Sequence, residues 1–231
     1  MLSRRTLLAS AAATSSLVVR PAAAATAVDL ELVLAVDVSG SVDWEEYALQ
    51  RQGYADAFRN PRLHQAIRGG PIGRIAVIMT QWAGFTLQSV AVPWTLVDSA
   101  ASAVSFADAI LEAPRYRLRG TSLSGALLHA TRLFGDGFEG SRQVIDVSGD
   151  GPNNSGPEPD TVRDLAVAAG ITINGLPILT DLPWLGDYFR SHVIGGPGAF
   201  IEEAVSFEAF GAAVLRKLLA EVSGLTPHRF A

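Results

Sequence analysis

Residues 30–37 read Leu-Glu-Leu-Val-Leu-Ala-Val-Asp, and the second half of the run is almost wholly apolar. A strand with one wet face alternates, whereas a strand covered on both faces is continuously apolar, so this run predicts a central strand. It stops at the polar turn Asp37-Val38-Ser39-Gly40-Ser41. Asp43, with Glu46 three residues on, is a capping-box signal for a helix that reaches about Phe58, before Asn60-Pro61 stops it. Residues 73–82 predict a second strand, and residues 88–94 return along it as an antiparallel hairpin through the turn at 83–86. Apolar spacing then predicts helices over 98–111 and 121–134, a strand over 142–148, a helix over 159–169, a strand over 171–178 and a closing helix over 207–222.

Strands alternating with helices predict an α/β fold: a doubly wound, mostly parallel central sheet with helices on both faces and one antiparallel edge strand. No internal repeat, long charge run or Ser/Gly linker divides the chain, so residues 26–225 are expected to form one domain, followed by a loose tail at 226–231.

The first 25 residues do not belong to that pattern. Arg4 and Arg5 precede a mildly apolar run to Val19, and the small residues 22–25 follow. This is the layout of a cleavable export signal, and Ser3-Arg4-Arg5-Thr6-Leu7-Leu8 is similar to the twin-arginine type. A run of about 14 residues rich in Ala and Ser is too short to span the bilayer core. The expected location is therefore periplasmic or secreted, by the twin-arginine or the general export route, with no membrane span after cleavage.

Composition narrows the chemistry. The 231 residues are 48% hydrophobic and 18% charged, with no cysteine, which excludes disulfides, thiolate metal sites and a cysteine nucleophile. The formal charge is −5; without the three arginines of the first 25 residues, 15 basic and 23 acidic side chains leave −8. That balance argues against nucleic acid as a partner.

Open α/β sheets place their sites in loops beyond the carboxyl ends of the strands. Three such loops carry oxygen: Asp37-Val38-Ser39-Gly40-Ser41, Gly120-Thr121-Ser122 and Ser148-Gly149-Asp150-Gly151. Together they offer carboxylates at Asp37 and Asp150 and hydroxyls at Ser39, Ser41 and Thr121, the donors that a hard divalent cation such as Mg²⁺ or Mn²⁺ takes. Taken singly, Asp37 reads as a turn cap, Ser39 and Ser41 as turn formers, Thr121 as a helix N-cap and Asp150-Gly151 as a turn pair.

Taken in order, the five residues resemble the metal-ion-dependent adhesion site of von Willebrand factor type A domains, over residues 29–223. More narrowly, the chain resembles an uncharacterised group of exported bacterial proteins that carry this domain alone. The resemblance implies Ser39, Ser41 and Thr121 as direct ligands, Asp37 and Asp150 as ligands directly or through water, and a partner's Asp or Glu completing the shell. Gly149 departs from the Thr common at that position in the family.

Other constellations fail. The segment from Asp37 has Val42 and Ala48 where an EF-hand loop needs Gly and Glu. Residues 120–125 lack the Gly-x-Ser-x-Gly spacing of a nucleophile elbow, and neither a phosphate loop nor a dinucleotide fingerprint occurs. The four histidines lack metal-ligand spacing, and His129 reads as structural. Arg115, Arg117 and Arg119 form the strongest local positive charge and lead into Thr121, which suggests a border that attracts an acidic partner. Trp44, beside the first loop, is a candidate partner contact, while Trp82, Trp94 and Trp184 read as packing aromatics. Two functional classes follow: a binding module that recruits an unidentified protein's carboxylate through Mg²⁺, and a hydrolase whose metal activates water. No catalytic group accompanies the three loops, which favours the module.

Overall fold

Leu30, Leu32, Leu34 and Val36 face one apolar cluster, while Val33 and Ala35, between them, face a second. That split is what a continuously apolar strand requires, because successive side chains point to opposite sides of a sheet. The computed structural model that shows it describes residues 24–116 and 119–224. The proposed export signal up to residue 23, Arg117 and the tail lie outside these.

In chain order the first half holds β1 (Thr26–Val28), β2 (Leu30–Asp37), α1 (Trp44–Arg59), α2 (Pro61–Arg68), β3 (Ile75–Trp82), β4 (Gln88–Val97) and α3 (Ala100–Glu112). The second half holds α4 (Leu123–Thr131), β5 (Phe138–Gly140), β6 (Gln143–Gly149), α5 (Pro159–Ala168), β7 (Thr172–Pro177) and α6 (Leu185–Tyr188). A π-helical turn (Phe189–Val193) and α7 (Phe210–Ser223) complete it. The main sheet has the order β4-β3-β2-β6-β7, parallel except for the antiparallel edge strand β4. β2 lies at its centre with all eight residues buried. Helices α1, α2, α3 and α7 supply the first apolar cluster; α4, α5, α6 and the π-turn supply the second. The expected doubly wound architecture is what the chain adopts.

Local signals explain most boundaries. The Asp43 side chain accepts the Glu45 and Glu46 N–H groups, and the Glu46 carboxylate accepts the Asp43 N–H, so the capping box opens α1 as expected. Asn60-Pro61 does end α1, but it also begins α2: Asn60 accepts the Arg62 N–H, and Pro61 occupies the first turn, where its missing donor costs nothing. The sequence expectation uses the pair only as a stop and does not include α2. The helix expected from Thr121 begins instead at Leu123, capped by Ser122, whose Oγ accepts the Gly125 N–H. The closing helix starts at Phe210 rather than 207.

Trp82 is fully buried and donates through Nε1 to the Ala35 carbonyl, and Trp94 donates to the Leu133 carbonyl, so both pack as expected. Trp184 does not; it is 50% exposed. Among the described residues no helix is long and apolar enough to cross a membrane.

Candidate metal centre

The carboxyl ends of β2 and β6 are adjacent in the sheet, so Asp37, the last residue of β2, and Asp150, the first after β6, meet at one edge. Asp37 is fully buried. Its Oδ1 accepts the Ser39 N–H at 2.7 Å, which folds the turn back on the strand end. Its Oδ2 is buried with no hydrogen-bond partner. Ser39 Oγ and Ser41 Oγ lie 3.1 Å apart, and Ser41 donates to Asp150 Oδ1 at 2.8 Å. The first and third loops therefore form one hydrogen-bonded group.

The second loop is tied in by its backbone. Gly120, at a φ of +81° that favours glycine, turns the chain into Thr121. The Thr121 N–H donates to Asn154 Oδ1 at 2.8 Å, and its carbonyl accepts the Asn154 N–H at 2.9 Å. Thr121 is buried, and its methyl group is 3.8 Å from where a Cβ on Gly151 would stand. Because Ser122 takes the capping role, the Thr121 hydroxyl is not spent on the helix; it makes no hydrogen bond among the described residues.

Electrostatics at this edge are one-sided. Burial, and then the charge of Asp150, push the Asp37 carboxyl up to about 8. Burial likewise raises Asp150, with Asp181 adding to it and the Ser41 hydrogen bond opposing it. Among the described residues neither Asp37 nor Asp150 forms an ion pair, and no three Asp, Glu, His or Cys side chains gather to hold a metal. An ion here would be held by a donor set rich in hydroxyls. The buried, unpartnered Asp37 Oδ2 beside two hydroxyls and a second carboxylate fits that kind of site.

A model of a family of proteins of unknown function, DUF1194, matches residues 27–226. The chain belongs to the DUF1194 family. No curated protein matches it in sequence. Among solved structures, this DUF1194 chain is similar to proximal thread matrix protein 1 from the mussel byssus, with a TM-score of 0.62 and 16% identity over 86% of this chain and 47% of that one. A further structure of that protein, described as having a zinc-occupied MIDAS motif, matches with a TM-score of 0.60 and 13% identity, covering 86% and 49%. The pilus adhesin SpaC from Lactobacillus rhamnosus GG matches with a TM-score of 0.62 and 15% identity, covering 85% and 30%. A von Willebrand factor type A structure from Catenulispora acidiphila gives 0.57 and 18%, covering 85% and 43%. The chain thus spans about half or less of the length of these structures. Together they establish a von Willebrand factor type A-like fold.

In the DUF1194 chain the remaining candidates are used differently from one another. Arg115 donates to the carbonyls of Val42 and Asp43, and its guanidinium lies 4.8 Å from the ring centroids of both Trp44 and Tyr47. The arginine thus braces the loop between Ser41 and α1 rather than standing out as free charge. Trp44 is 60% exposed beside that loop, and Arg119 is exposed. Arg117 lies outside the described residues.

Gly149, the departure from the family pattern, has a packing reason. A Cβ there would stand 3.0 Å from the Trp82 ring and 3.1 Å from Asp37 Oδ2. Trp82 fills the space in this chain, so a side chain at 149 would have to push its neighbours back by a few tenths of an ångström.

Sequence reading missed Asn153 and Asn154. Asn154 pins Thr121, while Asn153 Oδ1 accepts from the Ser124 N–H and hydroxyl at 3.3 Å and its N–H donates to the Tyr188 hydroxyl at 3.2 Å. An Asn pair after a turn reads as loop composition, and only the fold brings it to the Thr121 segment.

Proposed function

We propose that this DUF1194 protein is an exported binding module that recruits an acidic side chain of a partner protein through a divalent cation, Mg²⁺ or Mn²⁺. Asp37, Ser39, Ser41, Thr121 and Asp150 would hold the ion. One observation carries the reading: two carboxylates and two hydroxyls share one hydrogen-bonded group, with Asp37 Oδ2 buried and unpartnered and, among the described residues, no cationic side chain paired to either acid. A buried carboxylate without a counter-charge is costly, and an ion relieves it. When bound, the ion supplies Lewis acidity toward an incoming carboxylate. Hydroxyl donors add no negative charge, so that attraction is retained.

The chain's own contribution is positioning. The Ser39 N–H orients Asp37, Ser41 orients Asp150, and Asn154 sets the height of Thr121. The metal-occupied motif of the mussel protein and the adhesin role of SpaC support a binding function on this fold. The leader-like first 25 residues support export.

Calorimetric titration of Mg²⁺ and Mn²⁺ into the protein, beside Asp37→Ala, tests the reading. Saturable binding that the substitution abolishes is expected. Absence of binding, or binding indifferent to the substitution, rejects it.

A further inference from the structure

The three loops are linked to one another in a ring. The Ser41–Asp150 hydrogen bond joins the first loop to the third, and the Thr121–Asn154 hydrogen bond joins the third to the second. The link between the first loop and the second runs through residues outside the five candidate ligands. Gln81, the next-to-last residue of β3, is buried and uses both ends of its amide. Its Nε2 donates to the Pro114 carbonyl and to the Tyr47 hydroxyl, each at 2.9 Å. Its Oε1 accepts the Tyr116 N–H at 3.1 Å. The chain that leads toward Thr121 is thereby pinned to β3 and α1 on both sides of Arg115.

Arg115 completes the connection. Its guanidinium donates to the Val42 carbonyl at 2.5 Å and the Asp43 carbonyl at 2.6 Å, directly after the serines of the first loop. The same group lies 4.8 Å from the ring centroids of Trp44 and Tyr47. A planar fork meets two carbonyls at once and stacks on aromatic rings, which an ammonium cannot do equally well. The second loop is fastened to the same strand end, because the Ser122 N–H donates to the Ala83 carbonyl at 2.7 Å. Cation affinity follows ligand charge and the rigidity of the site. With hydroxyls for three of five ligands, rigidity carries more of the affinity, and every loop ordered beforehand spares that cost on binding.

We propose that Gln81 and Arg115 are positioning residues that act as one clamp, fixing the first loop against the second before an ion arrives and so setting the affinity for Mg²⁺. The inference rests on the metal-site reading above and adds to it two residues that are not among the five ligands.

Arg115→Met, Gln81→Leu and the double substitution, each in the full chain, test it. Calorimetric titration is expected to show each single variant binding Mg²⁺ about tenfold more weakly than wild type. The double variant is expected to lose about tenfold as well, because two residues in series break one clamp only once. Arg115→Lys, which keeps the charge and loses the fork, is expected to recover only part of the affinity. Hydrogen exchange in EDTA gives a readout without metal: the N–H groups of residues 39–43 are expected to exchange faster in every variant. Unchanged Mg²⁺ affinity in the single variants overturns the proposal even where stability falls, since the residues then support the fold alone. A loss of about a hundredfold in the double variant shows two independent effects and overturns it too. Where Arg115→Met or Gln81→Leu does not fold, wild-type affinity in Arg115→Lys overturns it. Failure of the metal reading is seen separately: wild type then binds no Mg²⁺, while exchange at residues 39–43 still shows whether the clamp exists.

Discussion

Asp146 and Glu221, in the core, can be set beside Asp37 and Asp150, at the strand ends. Both pairs bring together acids far apart in sequence, and both involve β6, whose middle holds Asp146 and whose end leads into Asp150. In the core the chain provides its own cation. Lys217 of α7 is fully buried, with Nζ 2.6 Å from Asp146 Oδ1 and 2.5 Å from Glu221 Oε1. Asn174 of β7 donates to Glu221 Oε1 at 2.9 Å, and the Phe200 ring lies 5.6 Å from the ammonium. At the strand ends the acids meet hydroxyls and backbone N–H groups, and no ion pair reaches them among the described residues.

The difference separates two uses of a buried acid. A carboxylate paired within the chain ties elements together: Lys217 joins α7 to β6, and Asn174 joins it to β7. Arg142 adds two hydrogen bonds to the carbonyls of Glu221 and Val222. A buried carboxyl left without a counter-charge either keeps its proton or takes a cation from outside the chain. The core group is therefore a structural fastening, and the strand-end group is the basis for the proposed metal site.

Removing the internal cation is the harshest way to break this comparison. Lys217→Met leaves two buried acids without their counter-charge and is expected to lower stability by about 3–5 kcal/mol, measured by chemical denaturation. Unchanged stability would mean that Lys217 does not balance the acids at all.

Asp37→Asn probes the other pair and should behave differently. The metal-free variant is expected to stay folded, because an amide needs no counter-ion. Wild type should gain about 2.7 kcal/mol when Mg²⁺ is a hundredfold above its Kd, and the variant nothing. Thermal unfolding with Mg²⁺ and with EDTA reads both; a variant that still responds to Mg²⁺ contradicts the assignment of Asp37.

Gly149→Ala sharpens the link between packing and site. Its methyl would press on Trp82 and Asp37 Oδ2, at an expected cost of about 1–3 kcal/mol together with a weaker Mg²⁺ response. A variant as stable and as responsive as wild type would show that the space is freely yielded.

The last test is a pH slope from the core. Burial first, and then the charge of Asp146, raise Glu221 from its ordinary 4.5 to about 7. Between those values the folded state holds a proton that the unfolded state has lost, so this group's contribution falls as pH rises from about 4.5 to about 7. Glu221→Gln should flatten that part of the stability curve relative to wild type. Parallel curves for the two proteins would exclude the titration.

Much of the architecture was legible because its signals are local or periodic. Continuous apolarity placed β2 at the sheet centre, and Asp43 with Glu46 placed the start of α1. Asn60-Pro61 was half read, since one dipeptide both ends a helix and begins another. Thr121 was assigned to the right loop, but its capping role belongs to Ser122, a distinction that depends on backbone angles and not on residue type. A large aromatic such as Trp184 reads as a packing side chain from sequence, and in the fold it is half exposed.

The sequence alone determined the strands of the main sheet, the sheet class and the oxygen-bearing residues that end β2 and β6, because periodicity and turn chemistry act over a few residues. Only the tertiary structure decided which charges are balanced. It brought Lys217 to Asp146 across 71 positions, left Asp37 without a counter-charge among the described residues, and turned Arg115 onto the carbonyls of Val42 and Asp43. Electrostatic pairing depends on distance in space and on burial, and neither is written in the spacing of residues along the chain.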